Sequence, residues 1–229
     1  NVARDVFSEG WSSMKLYFMI GLPTETMEDV LAISDLGYKV KDIFFNRPPE
    51  EIKGNFTVTL STSCFVPKAY TPFQWYPQNR TEEFLEKISG LRDSVRDPKI
   101  KFQYHQPLVS QLEAILARGD RRVGKLIYSV WKRGQKFDGW TEHFDYENWV
   151  QAMEETGIDP EFFIYRTREF DEILPWDFID IGVSKDYLWK EYQRALKGDR
   201  TKDCRQGCNG CGIQECEMWE VFHESKNTI

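Results

Sequence analysis

The first half of the chain alternates between apolar runs of strand length and longer stretches whose apolar residues have helical spacing. Residues 13–22 (SMKLYFMIGL) predict a strand, and the next stretch predicts a helix with Thr24 as its N-cap, extending to about Val40. The same signals predict the other elements of this half, which are strands at 55–65 and 100–105 and helices at 81–97 and 108–118. This alternation favours a parallel sheet packed against helices, so the predicted fold class is α/β.

The second half of the chain is predicted to be mainly helical. Helical patterns cover 123–131, 146–156 and 185–196, and the sequence FFIYR within 161–171 predicts a short strand. The change of pattern divides the chain into a strand-containing domain at 1–119 and a helical extension at 120–229.

Composition allows a packed core and limits the binding partners. Hydrophobic residues make up 41% of the chain, and the formal net charge of −7 disfavours binding of phosphate backbones over the whole surface. Residues 118–136 are a local exception, because seven basic residues there face one acid, Asp120. This segment is either a solvated helix face or a docking surface for RNA or an acidic partner.

The chain has no apolar run of the roughly 20 residues that span a bilayer, and no signal-peptide pattern. Four of its five cysteines lie within 13 residues, which is typical of metal ligation in a reducing compartment. We therefore expect a cytoplasmic protein without membrane contact. The chain begins with Asn1 in what reads as the end of a helix, so we expect an N-terminal part of the protein to precede it.

Two rigid loops follow the first two predicted strands. Gly21 permits close approach of the backbone, and free amides at the start of the next helix suit a carboxylate or another anion. After the second strand, Phe65 and Val66 offer apolar contact for a flat ring, and Lys68 suits a carboxylate. Because parallel strands end at one sheet edge, these loops predict a shared pocket. His105 ends the third strand at the same edge, either as a structural histidine or as a proton donor to substrate.

The cysteines near the end of the chain have the spacing of a metal site. Cys204, Cys208 and Cys211 form C-x3-C-x2-C, and Cys216 follows on a segment with helical character, 214–222. These four thiolates suit either zinc, with His223 as a further ligand, or an iron–sulfur cluster. Reduced structural cysteines are the third alternative. The isolated Cys64 is predicted to be a small core residue.

Several long motifs, in order, resemble one family of enzymes. The run YFMIGLPTET and the later FVPKAYTPFQW resemble the second half of a radical S-adenosylmethionine (SAM) β/α barrel. LEAILARGDRRVG, LPWDFIDIGVSKDYLWKEYQRAL and DCRQGCNGCG resemble one bacterial subfamily, which carries an N-terminal cobalamin-binding-like domain. The resemblance implies that the chain is the C-terminal part of a radical SAM partial β/α barrel, followed by the mainly helical region with its Cys-rich loop.

The resemblance also implies roles for particular residues. Met19, Gly21 and Leu22 would hold the adenosyl group of SAM, and Phe65 and Val66 would pack on adenine. The [4Fe–4S] cluster that cleaves SAM would be held by cysteines upstream of Asn1, and the cysteines at 204–216 would be a second, auxiliary site. The implied function is radical chemistry on an unidentified substrate, with cobalamin in the full-length protein. No catalytic side chain is assigned.

A non-catalytic function is the alternative. The basic segment at 118–136 and a zinc site at the cysteines would together bind structured RNA. Iron and sulfide in the anaerobically purified protein would favour radical chemistry, whereas one zinc ion and salt-sensitive RNA binding would favour the module.

Overall fold

The computed structural model describes residues 2–213 and Cys216. These described residues form three β-strands and seven α-helices, which alternate in the first half and are followed by helices alone. The elements are α1 Val2–Ser8, β1 Ser13–Ile20, α2 Met27–Phe45, β2 Thr57–Cys64, α3 Thr81–Ser94, β3 Ile100–Tyr104, α4 Pro107–Arg118, α5 Val123–Lys132, α6 Tyr146–Thr156 and α7 Lys185–Leu196. The predicted α/β class, with parallel strands and helices, is confirmed.

The strands form a sheet in the order β1-β2-β3, and both pairs are parallel. Leu16 of β1 is in register with Leu60 of β2, which is in register with Phe102 of β3. Side chains alternate between the faces of a strand, so these apolar residues share one face. Leu60 is fully buried, and an added Cβ at Gly37 of α2 would come within 3.2 Å of it. The absence of a side chain at Gly37 therefore lets α2 pack closely on this face.

The described residues divide into two compact units, residues 2–66 with 78–113 and residues 67–77 with 114–213 and Cys216. In the first unit, aromatic residues of the helices extend the core from the sheet. Phe7 of α1 and Phe44 of α2 pack edge to face, with ring centroids 5.1 Å apart, and both are fully buried. The predicted domain division at residue 119 stays a prediction.

The second unit has its own aromatic core. Trp75 is fully buried, and its ring centroid lies 5.0 Å from that of Trp189 and 5.9 Å from that of Tyr192, both on α7. Gln74 crosses this core, because its side-chain oxygen accepts a 2.7 Å hydrogen bond from the indole of Trp176. The loop at 67–77 is thus tied to α7 and to the segment before it. Within the described residues, none of the helices combines the length and the apolar character needed to span a bilayer.

Two predictions of local structure are wrong. The N-cap of α2 is Thr26, whose hydroxyl accepts a hydrogen bond from the Asp29 amide while the Asp29 carboxylate accepts one from the Thr26 amide. Thr24 instead has a left-handed backbone, with φ 65°. The segment Glu161–Tyr165, predicted to be a strand, is a π-helical turn. The helix predicted at 214–222 and the ligand predicted at His223 lie outside the described residues.

Candidate functional site

The carboxyl ends of β1 and β2 lie next to each other. Ile20 is in register with Cys64, and the Phe65 amide donates a 2.8 Å hydrogen bond to the Ile20 carbonyl oxygen. The loops that begin at Gly21 and Phe65 therefore leave the sheet side by side, as the sequence predicts. His105 lies at the same edge, since its amide donates a 3.0 Å hydrogen bond to the Thr62 carbonyl oxygen.

The turn at Gly21 is held by a buried ion pair. The Gly21 amide donates a 2.8 Å hydrogen bond to the Glu25 carboxylate, which also accepts one of 2.6 Å from the Lys87 ammonium group. The side chains of Glu25 and Lys87 are only 8% and 13% exposed. The Gly21 amide is therefore not available to a ligand. The free amides predicted for an anion are those at the start of α2, which begins at Met27, and they stay a prediction.

Packing explains why residue 21 is a glycine. Its φ is +85°, and an added Cβ would lie 2.4 Å from Cε1 of Phe84 and 2.7 Å from Oδ1 of Asn79. Phe84 is buried, so its ring cannot easily move away. Gly21 therefore allows α3 to approach the end of β1.

The predicted ligand contacts differ in accessibility. The side chains of Met19 and Leu22 are 45% and 37% exposed, whereas Phe65 and Val66 are buried. Met19 shares a face of the sheet with Ser63, the residue in register with it on β2. Met19 and Leu22 can thus contact a ligand at this edge, while Phe65 and Val66 pack within the protein.

The side chains of His105 and Lys68 are exposed. Within the part of the chain that the structure describes, the imidazole of His105 has no hydrogen-bond partner, and both predicted roles of His105 stay predictions. Cys64 is buried as predicted, and burial raises the pKa of its thiol to about 11.

The Cys-rich loop is attached to the beginning of α7. The amide of Ser184, the N-cap of α7, donates a 2.8 Å hydrogen bond to the carbonyl oxygen of Cys211. Burial raises the pKa of Tyr187, the third residue of α7, and the charge of Glu191 raises it further.

The four cysteines do not form a closed set of ligands in this structure. Cys204 and Cys208 are exposed, and Cys211 and Cys216 are half-buried. Across residues 2–213 and Cys216, no three His, Cys, Asp or Glu side chains converge in an arrangement that would hold a metal ion. The amide of Gly210 donates a 3.4 Å hydrogen bond to the Cys208 sulfur.

Arg118 does not belong to the basic surface predicted at 118–136. It is fully buried, and its guanidinium group donates hydrogen bonds of 3.2 Å to the carbonyl oxygens of Phe163 and Gln74. Arg168 is buried beside it and donates to the same Phe163 oxygen. Burial, together with the charge of Arg168, lowers the pKa of Arg118 to about 9. Sequence analysis missed this pair, because the carbonyl groups that hold it carry no sequence signal.

Comparison with known proteins gives one match without a stated activity. An uncharacterized protein of Methanocaldococcus jannaschii, MJ0966, is 32% identical over 122 residues, which are 52% of this chain and 24% of that protein. The chain therefore spans about a quarter of the length of the curated relative it matches. No protein-family model matches the chain. No solved structure matches it significantly.

Proposed function

We propose that this chain is part of a radical SAM enzyme and that the carboxyl ends of β1 and β2 hold the adenosyl group of SAM. The observation that carries this proposal is the parallel pairing that ends with the hydrogen bond from the Phe65 amide to the Ile20 carbonyl oxygen. It brings the two segments that resemble SAM-contacting strand ends to one edge of the sheet. Ligands bind at this edge in parallel α/β folds.

The residues at this edge fit the apolar part of an adenosyl group. The exposed side chains of Met19 and Leu22 would contact it, and the buried Phe65 and Val66 would fix the loop behind them. Because Gly21 has no side chain, the adenosyl group could approach its backbone closely. The Gly21 amide is bonded to Glu25, so the methionyl carboxylate of SAM would be held by groups other than this amide.

SAM and a reduced [4Fe–4S] cluster together supply hydrogen-atom abstraction from an unactivated carbon. The residues of this chain would orient the adenosyl group and exclude water from the reacting atoms. The ligands of that cluster are proposed to lie in residues outside this sequence. Cobalamin, with methyl transfer or rearrangement, is proposed only for the full-length protein and only from the resemblance.

Reductive cleavage of SAM by the full-length protein tests this proposal. After anaerobic reconstitution with iron and sulfide, dithionite should drive formation of 5′-deoxyadenosine and methionine, measured by mass spectrometry. Met19→Ala and Leu22→Ala should each raise the KM for SAM about fivefold, the effect of losing about 1 kcal/mol of apolar contact.

Tyr17→Ala provides a matched control. Tyr17 lies on the same strand and face as Met19, is 76% exposed, and is two residues farther from the edge. Its replacement should leave the KM unchanged. Absence of 5′-deoxyadenosine, or equal effects of all three substitutions, would refute the proposed site.

We propose that Cys204, Cys208, Cys211 and Cys216 hold an auxiliary metal centre, either an iron–sulfur cluster or zinc. The hydrogen bond from the Ser184 amide, at the N-cap of α7, to the Cys211 carbonyl oxygen supports a loop that is attached to α7. Anaerobically purified protein should contain bound zinc, or iron with sulfide. Cys208→Ser should lower that metal content, and the buried Cys64→Ser should not. If the two variants bind the same amount of metal, the proposed site is contradicted.

A further inference from the structure

Helix α5 has one buried face and one exposed basic face. Val123, Leu126 and Val130 are buried in the second unit. Lys125 and Lys132, seven positions apart, lie on the opposite side of the helix and are exposed. Arg121, four residues before Lys125, continues the same side just ahead of the helix and is also exposed.

Only some of the neighbouring basic residues are neutralised. Asp120 pairs with Arg122 at 2.7 Å, and Glu155 pairs with Arg133. Within the described residues, no carboxylate forms an ion pair with Arg121, Lys125 or Lys132. Residues 121–136 contain six basic residues and no acid, in a chain whose net charge is −7. The exposed side of α5 is thus a positively charged surface on an acidic protein.

Two aromatic rings stand on this same surface. Tyr128 and Trp131 are each 56% exposed, and their rings stack with centroids 5.8 Å apart and planes inclined by 25°. The Lys132 ammonium group lies 5.1 Å from the Tyr128 ring centroid. One turn before Tyr128, an added Cβ at Gly124 would have no atom within 4 Å, so the space beside the rings is open.

We propose that this α5 surface binds single-stranded RNA. Its residues are Arg121, Lys125, Tyr128, Trp131 and Lys132. Stacked, solvent-exposed rings provide a platform for unpaired bases, and the flanking cations attract the phosphates. RNA supplies such unpaired segments in its loops and ends. The proposal is independent of SAM chemistry, because it rests on the second unit alone.

The charge pattern favours RNA over other occupants. A partner helix would require a continuous apolar stripe, whereas here Lys125 and Lys132 lie beside the rings on the same side of the helix. In a symmetric dimer formed through this face, the basic α5 surface of one copy would lie against the same basic surface of the other. The repulsion between these like charges opposes pairing.

Fluorescence anisotropy with a labelled oligoadenylate of about 12 nucleotides, in about 50 mM salt, measures this binding with the 229-residue chain. Trp131→Ala and Tyr128→Ala should each weaken binding by about 5-fold to 150-fold, the range for loss of one stacked base. Phe178→Ala is the matched control, since Phe178 is 85% exposed outside this surface, and it should leave affinity unchanged.

The salt dependence tests the cations separately. In the double variant Lys125→Gln/Lys132→Gln, the slope of log K against log salt should become shallower by about 1.4, because each lost phosphate contact changes the slope by about 0.7 for single strands. Circular dichroism of each variant checks that the fold is retained.

Several results would overturn the proposal. One is absence of binding at low salt, and another is equal affinity of Trp131→Ala, Tyr128→Ala and the unmodified chain. Displacement of the oligonucleotide by heparin with no effect of the ring substitutions would show that charge alone is responsible. Light scattering that detects a dimer disrupted by Trp131→Ala would identify the surface as an interface between copies.

Discussion

Replacing Gly21 with alanine should destabilise the first unit far more than the same replacement at Gly10. Both glycines lie in that unit with similar backbone angles, φ +85° at Gly21 and +90° at Gly10. A left-handed backbone costs an alanine about 1–2 kcal/mol at either position. At Gly10 the added Cβ meets no atom within 4 Å, whereas at Gly21 it would meet buried Phe84 at 2.4 Å.

The difference between the two variants isolates the steric contact. Overpacking a core costs about 1–3 kcal/mol, so Gly21→Ala should lower the free energy of unfolding by about 2–5 kcal/mol and Gly10→Ala by about 1–2 kcal/mol. Urea unfolding followed by circular dichroism measures the loss, and hydrogen exchange of the β2 amides assigns it to the first unit. Equal losses for the two variants would refute the inference that Phe84 confines residue 21.

Three further predictions concern ionisable groups. Burial raises the pKa of Cys64 to about 11. After removal of bound metal with a chelator, iodoacetamide at pH 8 should therefore alkylate exposed Cys208 well before Cys64, as peptide mass spectrometry would show. Rapid alkylation of Cys64 in the folded chain would contradict its burial. Hydrogen bonding to Arg166 lowers the pKa of Glu172 below its ordinary 4.5, so the stabilisation by this ion pair is present above pH 4.5 and is lost as the pH falls through the lowered pKa. Glu172→Gln should therefore flatten the acid side of a curve of unfolding free energy against pH, measured by urea unfolding. An unchanged curve would contradict the coupling. Glu25→Ala leaves the nearly buried Lys87 without its carboxylate partner and should lower the free energy of unfolding by about 3 kcal/mol in the same assay. Lys87→Met should cost less, because Glu25 still accepts the hydrogen bond from the Gly21 amide. The reverse order would contradict this account of the turn.

Hydrophobic periodicity was sufficient to predict the strands and most helices. The strand predicted at 13–22 is observed at Ser13–Ile20, and the helix predicted at 185–196 has those bounds. The start of α2 was misplaced although its signal is in the sequence. Thr24 and Thr26 are equally good N-cap residues by type, but only Thr26 has an acid, Asp29, three residues later, which completes a capping box.

Aromatic and β-branched composition misled the prediction at FFIYR. These residue types favour strands, but the side chain of Asp159 accepts a hydrogen bond from the Glu161 amide, and Pro160 has an α-helical backbone. The turn then buries Phe163, whose carbonyl oxygen accepts from Arg118, 45 residues earlier in the chain. Contacts of that sequence separation are fixed by tertiary packing, which local pattern does not report.

The two faces of the sheet explain why Met19 is the residue on which the proposed site depends. On one face, Leu16 and Leu60 are in register within the apolar core, so that face is filled by the packing of helices. On the other, Tyr17 is in register with Ser61 and Met19 with Ser63, which places small hydroxyl side chains beside the exposed residues of β1. A ligand at the carboxyl edge can reach only this second face, because the first has no room for it. Met19 is the exposed apolar residue of that face nearest to the edge. If the edge binds SAM, Met19→Ala should raise the KM for SAM, and if the strand end is only structural, the KM should not change.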